Sequence, residues 1–387
     1  MDTAEIIARY DSFADKQIRD RFIKPRNIAD RLSKLPAEFE SGILGLSEEG
    51  LPIPIVKIGK GPVKIMLWSQ MHGDEPTGTM ALMDLINFLA GNSRLKDVLR
   101  SECTIYLVPM VNPDGAVRFT RRNAQQIDIN RDYIQTSSKE ATLLKNIRRE
   151  IKPDFGFNLH DQDTLWSVGQ TGNPASLSFL APAFDAACSN NPNREQAMLV
   201  IADIFETLHP LLPNQIGLFD ESYEPRAFGD NFQAEGTATI LIEAGGLVND
   251  PEKQNLRKYF FLSILRGLES IATRSFKNQQ ISNYRKIPPN SKTIFHIVIR
   301  QLLLGGIITS IALNYLEFTA LDGLSTIKKY YIADIGDLSS CAAYATYSAE
   351  KYIVSGFIIF GEPANFDIFQ DEDFILSFRG GILQSKQ

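Results

Sequence analysis

The sequence predicts an α/β fold with a mixed, mostly parallel central sheet flanked by helices, followed by a smaller β-rich C-terminal domain. Three observations carry that expectation. Apolar runs such as "VKIMLW", "CTIYLVPMV", "DFGFNL" and "TATILI" alternate with longer stretches of helical spacing up to about residue 275. Each run delivers polar residues at its C-terminal end, the edge at which open α/β sheets bind ligands. Beyond "NQQISNYRKIPPNSK", residues 278–292, the composition turns to short β-rich segments divided by turns.

Taken in order, residues 4–35 are polar and amphipathic and predict helix ending near Pro36. Residues 43–70 read as two or three strands parted by Gly and Pro turns. "TGTMALMDLINFLAG" spaces Met80, Met83, Leu85 and Leu89 as a helix, with Gly91 as its stop. Residues 103–111 have the continuous apolar character of a buried strand. "SSKEATLLKNIRREI", 137–151, opens with a serine cap and predicts a helix. Strands at 154–160 and 237–246 follow, with further helices in "REQAMLVIADIFETL" and "EKQNLRKYFFLSILRGLESIATRSF". Past the paired prolines, "TIFHIVIR", "YYIADIG" and "KYIVSGFIIFG" are strand-like. The expected division is a helical segment, 1–42, packed on a main α/β domain, 43–277, and a β-rich domain, 278–387.

Composition narrows the function. A net charge of −6 argues against nucleic acid as a partner, because phosphate binding needs a basic surface. Cys103, Cys188 and Cys341 are odd in number and far apart, which suits buried thiols in a reducing, cytoplasmic setting better than disulfides. The N-terminus mixes charges from its second residue, so no secretory signal is expected. "QLLLGGIITSIALNYL", 301–316, carries no charge, but it is shorter than the roughly 20 residues of a spanning helix. With Gly305-Gly306 in its middle it reads as buried strands around a turn, not as a membrane segment.

The chemistry lies at the strand ends. His72 and Glu75 follow the first run, Asn112 and Asp114 the second, while His160 and Glu243 end the other two. Two imidazoles and a carboxylate make a catalytic zinc set with one coordination position left open. Such a zinc acidifies water and polarises a carbonyl, and a further carboxylate must then carry the proton to a leaving amine. Glu243 ends an otherwise apolar strand, where a buried carboxylate is costly without a task or partner. Residues 111–133 crowd Arg118, Arg121, Arg122 and Arg131 around Asp128, Asn130 and Asp132. Guanidinium groups there suit carboxylate capture and stabilisation of an oxyanion, beside the ordinary reading of a solvated basic loop. His209 and His296 read as structural.

"HGDE", "NPDG", "RRN" before "DINRD", "NLH" and "LIEAGG" stand in an order and spacing that resembles the carboxypeptidase A-like zinc metallocarboxypeptidases, over roughly residues 45–275. That family also includes murein-peptide amidases and is distantly similar to desuccinylases and aspartoacylases. The resemblance implies one Zn2+ ion held by His72, Glu75 and His160, with Glu243 as general base and acid. It implies Asn130 and Arg131 as the holders of the substrate's terminal carboxylate, and Arg121 as the oxyanion-stabilising arginine, with Arg122 an adjacent competitor. Tyr223 stands near the position of the family's mobile tyrosine, in a slipped register. Gly229 and Asp230 fall where the specificity pocket would be, and an acidic floor there favours a basic or amine-bearing side chain.

The activity so implied is hydrolysis of a peptide bond near a free C-terminal carboxylate, in a small peptide or peptide-like substrate. Two other functions share the motifs: a zinc-dependent deacylase of N-acyl amino acids, and a binding protein that keeps the fold without catalysis. The sequence departs from the family in showing no propeptide and in its β-rich extension after 280. In "HDQDTLW", Asp161 or Asp163 stands either as a partner of His160 or as a solvated loop residue.

Overall fold

The computed structural model describes residues 3–321, 324–348 and 351–384. They form two compact units: Met1–Thr164 with Ala175–Asn290, and Leu165–Pro174 with Ser291–Gln387.

The first unit is built on eight strands: β1 (Glu40–Leu46), β2 (Pro52–Ile58), β3 (Val63–Ser69), β4 (Cys103–Val108), β5 (Phe155–Asp161), β6 (Leu177–Leu180), β7 (Ile216–Leu218) and β8 (Ala238–Ala244). Their order in the sheet is β1-β2-β4-β3-β5-β8-β6-β7. The four central strands, β4-β3-β5-β8, run parallel. The β1-β2-β4 edge and the β6–β8 pair are antiparallel. Continuous apolar sequence in the centre follows from burial on both faces of these strands. One face packs Ile65, Leu67, Phe157 and Ile240 against helices, and the other packs Met66 and Trp68 against Phe228 and Phe232.

The helices of this unit are α1 (Thr3–Ala8), α2 (Pro25–Leu32), α3 (Thr77–Ala90), α4 (Arg94–Glu102), α5 (Pro113–Arg118), α6 (Lys139–Ile151), α7 (Pro192–Leu208), α8 (Phe228–Ala234) and α9 (Gln254–Thr273), with a short turn of helix at Ile281–Arg285. Ser138 caps α6, its hydroxyl accepting from Ala141 N–H, as the sequence suggested.

Residues 4–35 are not one helix. The chain between α1 and α2 gives its backbone to a buried polar knot instead. Asp84 of α3 accepts from Arg257 Nε of α9 at 2.7 Å, from the Tyr10 hydroxyl at 2.5 Å and from Asp15 N–H at 2.7 Å, while Arg257 Nη1 donates to Ile18 carbonyl at 2.9 Å. Backbone groups spent on that pair are lost to an i→i+4 ladder. Tyr10, Phe13, Ile18, Ile23 and Ile28 thereby join the main core.

Residues 278–290 lie within the first unit. Leu218 N–H donates to Pro288 carbonyl, Asn290 Nδ2 to Gln162 Oε1, and the buried Tyr284 hydroxyl accepts from Ala181 N–H. The sequence shift near the paired prolines marks a change of secondary structure, and the unit boundary falls a few residues later.

The second unit has strands β9 (Ile294–Leu304), β10 (Ile307–Thr319), β11 (Thr326–Gly336), β12 (Ala342–Tyr347), β13 (Tyr352–Phe357), β14 (Asn365–Gln370), β15 (Asp373–Arg379) and β16 (Ile382–Gln384). They follow the order β11-β10-β9-β13-β14-β15-β16, with β12 also paired to β9. Ile299, Leu302, Ile311, Leu313, Phe366 and Phe378 are its core. The uncharged stretch 301–316 turns at Gly305 and Gly306, whose φ of +56° and +88° favour glycine. It is a hairpin, but its tip is not buried: Ile307 and Ile308 are 66% and 57% exposed. No helix among the described residues is long and apolar enough to cross a membrane.

Candidate active site

Three parallel strands end at one place. The turn after β3 carries His72 and Glu75, β5 carries His160 as its last residue but one, and β8 carries Glu243 directly opposite His160 in register. The turn is fixed by packing. Gln70 takes a left-handed φ of 53° and its Nε2 donates to Gly73 carbonyl. A Cβ at Gly73 would lie 2.0 Å from the backbone carbon of Gly115, so only glycine lets the two loops meet. Asn112 joins them: its Oδ1 caps α5 through Gly115 N–H, and its Nδ2 donates to Met71 carbonyl. Asp114 accepts from Ser47 Oγ and Glu49 N–H. Asn112 and Asp114 therefore hold the turn in place and stand outside the cluster.

His72 Nδ1 is 2.7 Å from Glu75 Oε1, and His160 Nδ1 is 2.7 Å from Glu75 Oε2. The donor atoms of the three residues all lie within 4.8 Å of one another, an arrangement able to hold a metal ion. The surroundings fit that use. His72 Nε2 is 3.1 Å from Asp128 Oδ1, so a proton kept on Nε2 leaves the Nδ1 lone pair turned toward the cluster. Asp161 N–H donates to Glu75 Oε2 at 3.1 Å and fixes that carboxylate. His160 Nε2 and Glu243 Oε2 are buried without a hydrogen-bond partner among the described residues.

The electrostatics favour a cation. Burial opposes charge on His72, yet the carboxylates of Glu75 and Asp128 overcome it and push its pKa up to about 9. Glu75 is held well below the usual carboxylate range: burial raises it, but the two imidazoles outweigh that. Burial dominates at His160 and lowers its pKa. Glu243 is pushed well above the usual range, chiefly by burial and then by the charges of Glu75 and Asp161. A carboxyl so placed is suited to taking up and releasing a proton.

The arginines separate in space. Arg121 Nε donates to Asp128 Oδ2 at 3.1 Å and its Nη1 to Glu75 Oε1 at 3.2 Å, with the side chain 43% exposed. Arg122 turns away and donates to Gln126 carbonyl. Asn130 Oδ1 accepts from Phe228 N–H, which leaves its Nδ2 to donate elsewhere. Arg131 lies beside it, with Nη1 on Asn130 carbonyl and Nε 3.1 Å from Glu224 Oε2. Tyr223 is half-buried on the loop before α8 and makes no hydrogen bond or ring contact with the cluster among the described residues. Asp230, in the first turn of α8, accepts from Glu224 N–H, and burial holds its carboxyl up at about 6.

Sequence reasoning gave Asp128 no role, yet it touches His72, Arg121 and, through Oδ1, Asn130 N–H. The signal was there: an acid two residues before Asn130, in a stretch that carries four arginines. Asp161 is tied to Glu75 by its backbone, and its Oδ2 accepts from Thr77 Oγ1 and the buried Lys253 Nζ. Asp163 is exposed.

Residues 28–170 match the sequence profile of the zinc carboxypeptidases. The probable carboxypeptidase 2 of Trichophyton verrucosum is 28% identical over 130 residues, 33% of this chain and 24% of that protein. Carboxypeptidase D of Drosophila melanogaster is 33% identical over 122 residues, 25% of this chain and 8% of that protein. The chain thus spans about a quarter, or less, of the length of these curated relatives. Among solved structures, a metallo-carboxypeptidase from Burkholderia cenocepacia aligns with a TM-score of 0.52 at 17% identity, over 65% of this chain and 69% of that one. Bovine thrombin-activatable fibrinolysis inhibitor aligns with a TM-score of 0.53 at 15% identity, over 66% and 98%. About two thirds of the chain shares their fold, and the stretch 28–170, with the turn that brings His72 and Glu75 to the sheet edge, is similar in sequence to the zinc carboxypeptidases.

Proposed function

We propose that the protein is a zinc-dependent metallocarboxypeptidase that hydrolyses an amide bond next to a free C-terminal carboxylate. One observation carries this reading: His72, Glu75 and His160 converge within ligand distance while Glu243 stands across from His160 on the adjacent strand. A zinc ion held by those three residues supplies Lewis acidity, polarising the scissile carbonyl and lowering the pKa of water.

The chain's own groups do the rest. Glu243 accepts a proton from water as the C–O bond forms and returns it to the amine nitrogen as the C–N bond breaks. Arg121, anchored by Asp128 and Glu75, offers its remaining N–H groups to the oxyanion. Asn130 Nδ2 and Arg131 hold the terminal carboxylate. Tyr223 and Asp230 belong to the loop and helix that border the clamp. Asp230 is the group we assign to a basic or amine-bearing terminal side chain. The cytoplasmic setting is part of the same proposal, and three free cysteines support it.

A panel of C-terminal dipeptides against N-acyl amino acids, given to the zinc-loaded protein, tests the reading. Turnover of peptides is expected, and turnover of N-acyl amino acids alone would replace it with deacylation. Arg121→Ala is expected to lower kcat by about 100-fold, the scale of one lost oxyanion donor, whereas Arg122→Ala stays within about twofold. Equal losses in the two variants would remove Arg121 from the role. Arg131→Ala is expected to raise KM about 30-fold for acids and to leave amidated substrates unchanged, since a charge-assisted bond contributes about 2 kcal/mol. An equal loss on amides would argue against the clamp.

A further inference from the structure

Arg131 already faces a carboxylate of the chain itself. Glu224 Oε2 stands 3.1 Å from Arg131 Nε, while Arg131 Nη1 is spent on Asn130 carbonyl. A second arginine holds the same carboxylate from the other side: Arg226 Nε donates to Oε1 at 2.9 Å and Nη2 to Oε2 at 2.7 Å, with Arg226 N–H on Oε1 at 3.1 Å. The loop is fastened where it is. Tyr133 N–H donates to Arg226 carbonyl, Phe228 N–H to Asn130 Oδ1 and Glu224 N–H to Asp230 Oδ1.

A bidentate carboxylate needs two parallel N–H groups of one guanidinium. With Nε facing Glu224, the Nε/Nη2 edge of Arg131 is already shared, and an incoming carboxylate meets a like charge within a few ångströms. Arg226 offsets this, because its fork holds Glu224 without help from Arg131. The pair of arginines around one glutamate keeps a net charge of +1, enough for one more carboxylate. The three side chains are partly exposed, at 36%, 27% and 56%, so the effect is modest rather than prohibitive.

We infer that Glu224 sets the affinity of the clamp: its carboxylate shares Arg131 with the carboxylate of the substrate, and Arg226 holds Glu224 back so that the substrate can enter. This rests on the assignment of Arg131 to the substrate carboxylate. It makes Glu224 and Arg226 opposed tuning residues of the clamp.

The test is calorimetric titration of the zinc-loaded full chain with N-acetyl-L-alanine and with N-acetyl-L-alaninamide, alongside KM for the dipeptide panel. Glu224→Gln removes the charge and keeps one of the two acceptor oxygens at nearly unchanged size; it is expected to tighten the acid about two- to fivefold and to leave the amide unchanged. Arg226→Gln releases Glu224 toward Arg131 and is expected to weaken the acid by a similar factor. The opposite signs are what a merely structural role would not produce. Weaker or unchanged acid binding in Glu224→Gln, in a protein whose wild type prefers acid to amide, overturns the inference alone. A wild type with no such preference overturns the role of Arg131, and the inference with it.

Discussion

Glu243→Gln is expected to lower kcat by three to four orders of magnitude while the protein stays folded and binds zinc as before. The scale is the upper end of what a positioned general acid–base contributes. The substitution is nearly isosteric, so the strand ladder between His160 and the residue at 243 is kept. It takes away a buried carboxyl whose Oε2 has no hydrogen-bond partner among the described residues. An amide neither accepts a proton from water nor passes one to an amine. The neighbouring Asp161 is held in another role, its Oδ2 accepting from Thr77 Oγ1 and Lys253 Nζ. Single-turnover kinetics, zinc content by elemental analysis and a thermal melt measured together separate loss of chemistry from loss of metal or fold. A variant that retains full turnover removes Glu243 from the mechanism.

How much of this was legible in the sequence differs from element to element. The central strands announced themselves because burial on both faces demands unbroken apolar runs, and 63–69, 103–108, 155–161 and 238–244 all carry them. The cluster residues were legible because each ends or closely follows such a run. The N-terminal stretch was not, since its path is set by Asp84 and Arg257, some 70 and 240 residues away, and no local spacing encodes that. The choice between Arg121 and Arg122 was hidden for a similar reason. Adjacent residues of a loop point apart, and which one faces Glu75 depends on where Asp128 and Asn112 hold the loop. The insertion of 165–174 into the second unit rests on contacts such as Ser167 Oγ with Ser291 carbonyl and Thr293 Oγ1, across more than 120 positions.

His160→Ala is expected to abolish stoichiometric zinc binding and, with it, the stabilisation that zinc confers. A ligand at about 1,000 times its Kd stabilises the folded state by about 4 kcal/mol, which moves Tm by several degrees in a protein of this size. The wild type is therefore expected to melt several degrees higher with zinc than after chelation, and His160→Ala to melt at one temperature in both. The side chain lends itself to this test. Its Nε2 has no partner among the described residues and its Nδ1 touches only Glu75, so removing it leaves Glu75 held by Asp161 N–H and His72 rather than stranded. His209 supplies the control. It ends α7, stacked on Phe205 with ring centroids 5.0 Å apart, and His209→Ala should keep both the metal and the zinc-dependent shift. Glu75→Gln should follow His160→Ala, because a neutral amide is a poor partner for a dication beside two imidazoles. If His160→Ala still carries one zinc per chain with an undiminished shift, the ion sits elsewhere, and a strand-end cluster of two histidines and a glutamate is not its site.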